Sequence, residues 1–131
     1  MPCQCTSLSF KTIASGSKGN SAIVLTDKTK LIIDVGIPYN TLRRHLEEEN
    51  LSFNDFSGIL ITHSHSDHVK GLKITLKHTD LKVLIPKEMY NELEEIVPID
   101  RVIFINKINK LNDMIIELIP TSHDTISSCG Y

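Results

Sequence analysis

Between Gly58 and Gly71 the chain reads Gly-Ile-Leu-Ile-Thr-His-Ser-His-Ser-Asp-His-Val-Lys-Gly. A short apolar run, Ile59 to Ile61, stops at His63, His65, Asp67 and His68, which puts three imidazoles and a carboxylate within six residues. Zinc and similar borderline metals take these donors. His63 and His65 alternate on an extended segment, so both side chains point to one side. Asp67 and His68 are adjacent at the expected start of a helix, where they diverge from that pair and are placed to serve a second metal. No thiolates stand here at zinc-finger spacing, so the pattern reads as a catalytic metal site. The competing reading is a solvated polar turn rich in histidine.

His123 is a candidate further donor, although a lone histidine in such a loop is by itself more often solvent-exposed than a ligand. The apolar run Met114 to Ile119 should deliver it just past a strand end, as Ile59 to Ile61 delivers His63. Two parallel-type strands ending at the same rim would bring these histidines together. His63, His65 and His123 would then hold one zinc through three neutral nitrogens with a position left open. Such a site lowers the pKa of bound water toward ~7 and makes a hydroxide nucleophile at neutral pH. Asp67 and His68 would begin the second site, and Asp67 could also accept or relay the proton as general base. Asp34 closes another apolar run, Leu31 to Ile33, and a carboxylate buried there needs partners. It either bonds its own turn or accepts the hydrogen bonds that orient the histidine loop. Ser15 to Asn20 is a small loop with two glycines. It reads either as backbone amides approaching a phosphate or as a plain β-turn.

The remaining elements form a frame for these residues. Leu8, Phe10 and Thr12 alternate in a half-buried strand, and Ser21 to Thr26 with Leu31 to Asp34 reads as a hairpin. A helix is expected from Thr41 to about Glu49, N-capped by Asn40, with Leu42, His45, Leu46 and Glu49 along one stripe. Phe53 and Phe56 should seal the core. Gly58 to Thr62 is apolar enough at its centre for burial on both faces. Val69, Leu72 and Leu76 give a helix to about His78. Lys82 to Ile85 and Arg101 to Ile105 read as strands, and Pro86 opens a helix burying Met89, Leu93 and Ile96. His45 and His78 are assigned to the surface, away from the metal.

At 131 residues the chain fits one domain, residues 1–131, and no repeat or linker divides it. A hydrophobic content of 40% and a charged content of 23% suit a globular protein. A net charge of -2 gives no basic field for gripping long nucleic acid. Of the three cysteines, Cys3 and Cys5 read as terminal thiols of a reducing cytosol, with a soft-metal or redox pair as the alternative, and Cys129 stands alone near the end. No signal-peptide pattern opens the chain and no apolar run reaches membrane length, so a cytoplasmic location without membrane contact is expected.

The string H-x-H-x-D-H, filled by His63, His65, Asp67 and His68, resembles the signature of the metallo-β-lactamase fold hydrolases. Asp34-Val35-Gly36 resembles that family's strand-end Asp-x-Gly, and Pro120 to Asp124 resembles the segment carrying its next metal histidine. Ser15 to Ser21 and the closing Gly130-Tyr131 are similar to the YycJ (WalJ) branch, whose members look like nucleases or phosphodiesterases. The resemblance implies an α/β fold, the first αβ half of a four-layer αβ/βα sandwich, with a mixed sheet and helices. It implies one or two Zn2+ ions, with Mn2+ as the alternative, and a phosphodiester substrate, DNA or RNA. The family also uses a bridging Asp and a final His on later strands, and Asp124, beside His123, is not placed to be that bridge. The chain therefore reads as truncated, with an exposed apolar face that a homo-oligomer would cover. Two alternatives remain: a truncated, non-catalytic metal-binding relative, and a thioester or lactam hydrolase of the same superfamily.

Overall fold

The computed structural model describes residues 8–16, 19–111, 114–117, 119–120 and 129–130. Its centre is a six-stranded mixed sheet of β1 (Ser9–Ala14), β2 (Ser21–Leu25), β3 (Lys30–Ile33), β4 (Gly58–Leu60), β5 (Val83–Ile85) and β6 (Val102–Phe104), in that spatial order. The first three strands run antiparallel, as short connections permit. From β3 to β6 the pairing is parallel. Each parallel crossover carries helix: α1 (Tyr39–Glu48), then α2 (Ser66–Val69) with α3 (Leu72–His78), then α4 (Tyr90–Leu93).

Strand alternation divides the core between the two faces of the sheet. Ile32, Ile59, Val83 and Ile85 turn toward the helices and pack with Leu42, Leu46, Phe53, Phe56, Leu72, Met89 and Leu93. Leu31, Leu60 and Leu84 point the other way, against Ile105, Met114 and Ile116. The last two lie on β8 (Met114–Glu117), which pairs with β7 (Ile108–Leu111) in a separate antiparallel hairpin. β9 (Ile119–Pro120) pairs with β10 (Cys129–Gly130).

Several expectations need correction. β8 does not join the sheet that holds β4. It crosses over the sheet's second face with β7, a strand whose mixed polar sequence gave no clear alternation. β1 is a strand but largely exposed, with Phe10 64% accessible, because it is an edge strand and the hairpin does not cover it. α1 begins two residues before Thr41. Pro38 occupies the N-cap position and its carbonyl accepts from the Leu42 amide, so Asn40 is inside the helix and not its cap. Only Leu42 and Leu46 of its expected stripe are buried. The helix expected after the histidine cluster is broken at Gly71, whose amide donates to the Val35 carbonyl at 2.8 Å. Among the described residues, no helix is long and apolar enough to cross a membrane.

The third crossover is fastened by Arg101. Its guanidinium donates to the carbonyls of Leu76 (2.9 Å), Thr79 (2.7 Å) and Leu81 (2.6 and 3.0 Å) at the C-terminal end of α3 and the loop beyond. A cation there satisfies carbonyls that the helix leaves unpaired. Arg101→Ala should therefore lower unfolding stability by about 2 kcal/mol. A urea midpoint unchanged from the wild type would show the clamp to be idle.

Candidate metal centre

β3 and β4 are parallel neighbours, so their C-terminal ends reach the same rim, and the residues just past those ends build the site. Asp34 follows β3 with φ at +62°, a left-handed conformation that Asp tolerates better than most residues. Its amide donates to the Leu60 carbonyl at 2.7 Å, and Ser21 Oγ donates to its own carbonyl at 2.8 Å. Its side chain turns inward, 4% exposed. One carboxylate oxygen accepts from the Thr62 amide at 2.7 Å. The other accepts from Thr62 Oγ1 at 2.6 Å and lies 2.7 Å from His68 Nδ1. Three donors meet the buried carboxylate, as burial of a charge requires.

This network fixes proton positions. Against a carboxylate oxygen, His68 Nδ1 must be the donor, and in the neutral ring, the form that binds a metal, this leaves the lone pair on Nε2. Thr62 has one hydroxyl proton and gives it to Asp34. Toward His63 Nδ1, 3.0 Å away, Thr62 Oγ1 can therefore only accept, and His63 too carries its lone pair on Nε2. The two rings stand 4.4 Å apart between centroids. His65, exposed at the N-terminal end of α2, has its ring 6.3 Å from that of His63.

Asp67 sits in the first turn of α2 with Oδ2 3.8 Å from His68 Nε2. Asn20, between β1 and β2, reaches across to it. The Asn20 amide donates to the Asp67 carbonyl at 2.7 Å, and Asn20 Nδ2 lies 3.3 Å from Asp67 Oδ2. The Gly19, Gly36 and Asp67 backbones crowd together here, and a Cβ on Gly36 would overlap the Asp67 carbonyl. Farther along the rim, Ser64 Oγ donates to Glu92 Oε1 of α4 at 3.2 Å.

The fold thus gathers His63, His68, Asp34 and Asp67 at one rim, with His65 beside His63. Among the described residues, no three His, Cys, Asp or Glu side chains close on one point as a ready metal cage. His123 and Asp124 lie outside the described residues. Three described amides of the Ser15–Asn20 loop are spent inside the protein, which gives the phosphate reading no support from them. Gly16 N donates to Asn20 Oδ1, Gly19 N to the Gly16 carbonyl, and Asn20 N to Asp67. Sequence reasoning passed over Thr62 and Asn20. Thr62 stands beside His63 and was within reach as a hydroxyl at a strand end. Nothing local ties Asn20 to a residue 47 positions away.

The family described as Anti-Pycsar protein Apyc1 matches residues 9–97 of this sequence, which include the whole rim just described. The chain belongs to the Apyc1 family. A relative from Paenibacillus xerothermodurans, named anti-Pycsar protein Apyc1, is 33% identical over 99 residues, covering 66% of this chain and 38% of that protein. The exodeoxyribonuclease YycJ of Bacillus anthracis is 34% identical over 129 residues, covering 95% of this chain and 49% of YycJ. Among solved structures, a B3 metallo-β-lactamase with an active-site glutamic acid superimposes with a TM-score of 0.76 at 16% identity, over 92% of this chain and 52% of that one. The fold of this Apyc1-family chain is therefore the metallo-β-lactamase fold, and the resemblance to the YycJ and WalJ proteins holds. The chain spans about half the length of the YycJ and WalJ relatives it matches.

Proposed function

We propose that this chain carries the metal-binding rim of a hydrolase that cleaves phosphodiesters, with nucleic acid as the substrate class and zinc as the metal. The donors suit such an ion: His63 and His65 would serve one position, Asp67 and His68 a second. The observation that carries the reading is the Asp34–Thr62 network, which holds His63 and His68 in one tautomer with their lone pairs on Nε2. A structural turn rich in histidine has no need of a buried carboxylate that dictates ring protonation; a metal site does. The name exodeoxyribonuclease, borne by YycJ and WalJ relatives, supports the phosphodiester as the bond attacked.

A divalent ion at this rim supplies Lewis acidity toward a phosphoryl oxygen and acidifies water. The chain's residues supply the rest. Asp34 keeps the imidazoles oriented, and Asp67 Oδ2, beside His68 and half-buried, is placed to take a proton from attacking water. A second reading, metal binding without turnover, is favoured by the lack of a complete three-donor cage among the described residues. The metal-to-chain ratio by elemental analysis, with hydrolysis of a chromogenic phosphodiester and of a thioester, separates the readings. Metal with phosphodiester turnover supports the proposal, metal without turnover supports the second reading, and thioester turnover alone overturns the substrate class.

Asp34→Asn tests the tautomer argument directly. Asparagine keeps the size and tolerates the positive φ. With its amide turned toward the Thr62 hydroxyl and His68, it would make Nδ1 the acceptor and move the His68 proton to Nε2. Zinc affinity should fall roughly 10- to 100-fold, while unfolding stability drops by only about 1 kcal/mol. Competition with a chromogenic chelator reads the first quantity and urea unfolding the second. Unchanged affinity would sink the argument.

A further inference from the structure

We infer that the cleft between the start of α1 and the outer face of α3 is a nucleobase subsite, in which a base of a single-stranded substrate stacks on His78. The inference rests on the nucleic-acid substrate class proposed above and deepens it. The cleft holds about 520 Å³ between Tyr39 and Asn40 on one side and Lys70, Ile74 and His78 on the other. That volume is within the range of small-ligand sites. Its walls run straight on from the metal rim. Lys70 follows His68 by two residues, and Gly71 beside it donates its amide to the carbonyl of Val35, the neighbour of Asp34. From there α3 carries the wall about 10 Å away from the rim to His78. A strand with its phosphodiester at the rim therefore lays a flanking base along this wall.

The far end of the cleft has the surface a base needs. Phe53, Tyr39 and His78 form a run of nearly parallel rings, with centroids 5.3 Å apart in the first pair and 4.8 Å in the second. The run starts in the core at Phe53 and ends in solvent at His78. Among the described residues, His78 has no other ring contact and no hydrogen bond, so one ring face and both ring nitrogens are left for a ligand. Exposed aromatic faces of this kind are what single-stranded bases stack on. Ile74, one turn earlier on the same side of α3, is 47% exposed and extends the apolar surface beside that ring. The Tyr39 hydroxyl and the Asn40 side-chain amide also have no hydrogen-bond partner among the described residues, and such groups read a base edge. Charge separates this cleft from its neighbours. Lys70 brings a cation to it, and no carboxylate among the described residues lines it. Three other clefts hold Glu47, Glu94 with Glu95, and Glu117, which would repel a phosphate backbone.

The test is an NMR titration of the full chain with a phosphorothioate-linked deoxyadenosine trinucleotide, which resists hydrolysis, and with an abasic trinucleotide of the same charge. Wild type, His78→Ala and His78→Phe are compared, and zinc uptake is measured on each. The deoxyadenosine trinucleotide should shift the ring resonances of His78 and Tyr39, and His78→Ala should weaken its binding about 10-fold. His78→Phe keeps a ring to stack on and should bind as the wild type does. The abasic trinucleotide should bind wild type and His78→Ala alike. Equal binding of the deoxyadenosine trinucleotide by wild type and His78→Ala overturns the inference, as does a wild type that binds both trinucleotides equally or neither. A loss in His78→Phe as large as in His78→Ala also overturns it, because stacking would not be the cause. Zinc uptake without base stacking removes this subsite and leaves the metal reading intact. A chain that stacks the base and takes up no zinc keeps the subsite and overturns the hydrolase reading.

Discussion

His63→Ala and His65→Ala should each cost the chain at least about 100-fold in zinc affinity, whereas His45→Ala and His78→Ala should leave zinc binding unchanged. The four histidines differ in what surrounds them, so affinity and stability should separate. His63 is half-buried and bonded through Nδ1 to Thr62, so its loss should also cost about 1 kcal/mol of stability. His65 is exposed, and its removal should leave the unfolding midpoint where it was. His78 stacks on Tyr39 at 4.8 Å between ring centroids, at the opposite end of α3 from the rim. Its replacement should lower stability by roughly 0.5–1 kcal/mol with no loss of metal. His45 lies on α1 beside Glu48 and should be silent in both measurements. Zinc competition and urea unfolding on the same four proteins give the pattern. Equal zinc loss in all four would reject the ligand assignment, and loss in none would reject the metal reading.

Why part of this was legible in the sequence follows from the range over which each interaction acts. The run Gly58–Thr62 carries its own burial signal, because a strand covered on both faces must be apolar throughout, and β4 is fully buried. The pair Leu42 and Leu46 likewise marks the inner side of α1 through helical spacing alone. The clustering of His63, His65, Asp67 and His68 is a property of six consecutive residues and needed no fold to be seen. What escaped is set by distant segments. The break between α2 and α3 comes from the Gly71 amide bonding Val35 in another crossover, which no local propensity encodes. Of the β7–β8 hairpin, the strand at β8 was expected and β7 was not, because its pattern answers to a face of the sheet the hairpin covers only in part, leaving Ile108 and Ile115 exposed. Thr62 and Asn20 entered the site only once β3, β4 and the first loop were brought side by side.

That juxtaposition has a weak point at which a single methyl group should undo it. Gly36→Ala is expected to destabilise the chain by about 3 kcal/mol and to lower Tm on the order of 10 °C. A Cβ at position 36 would overlap the Asp67 carbonyl oxygen and come 2.6 Å from the Asn20 amide nitrogen. Both neighbours are backbone, so neither can move aside by changing rotamer. The contacts also form a chain of bonds: Gly36 N donates to the Asn20 carbonyl and Asn20 N to the Asp67 carbonyl, at 2.8 and 2.7 Å. Relieving the clash means parting three segments that meet here, the first loop, the turn after β3 and the start of α2. The same parting would swing Asp67 away from His68, so metal affinity should fall together with stability. In this respect Gly36→Ala differs from Asp34→Asn, which should weaken zinc binding through a changed ring tautomer at little cost to the fold. Thermal unfolding and zinc titration of Gly36→Ala decide the matter. A variant that melts with the wild type would show that the backbone at this rim is loose enough to admit a side chain, and the close packing assigned to it would be wrong.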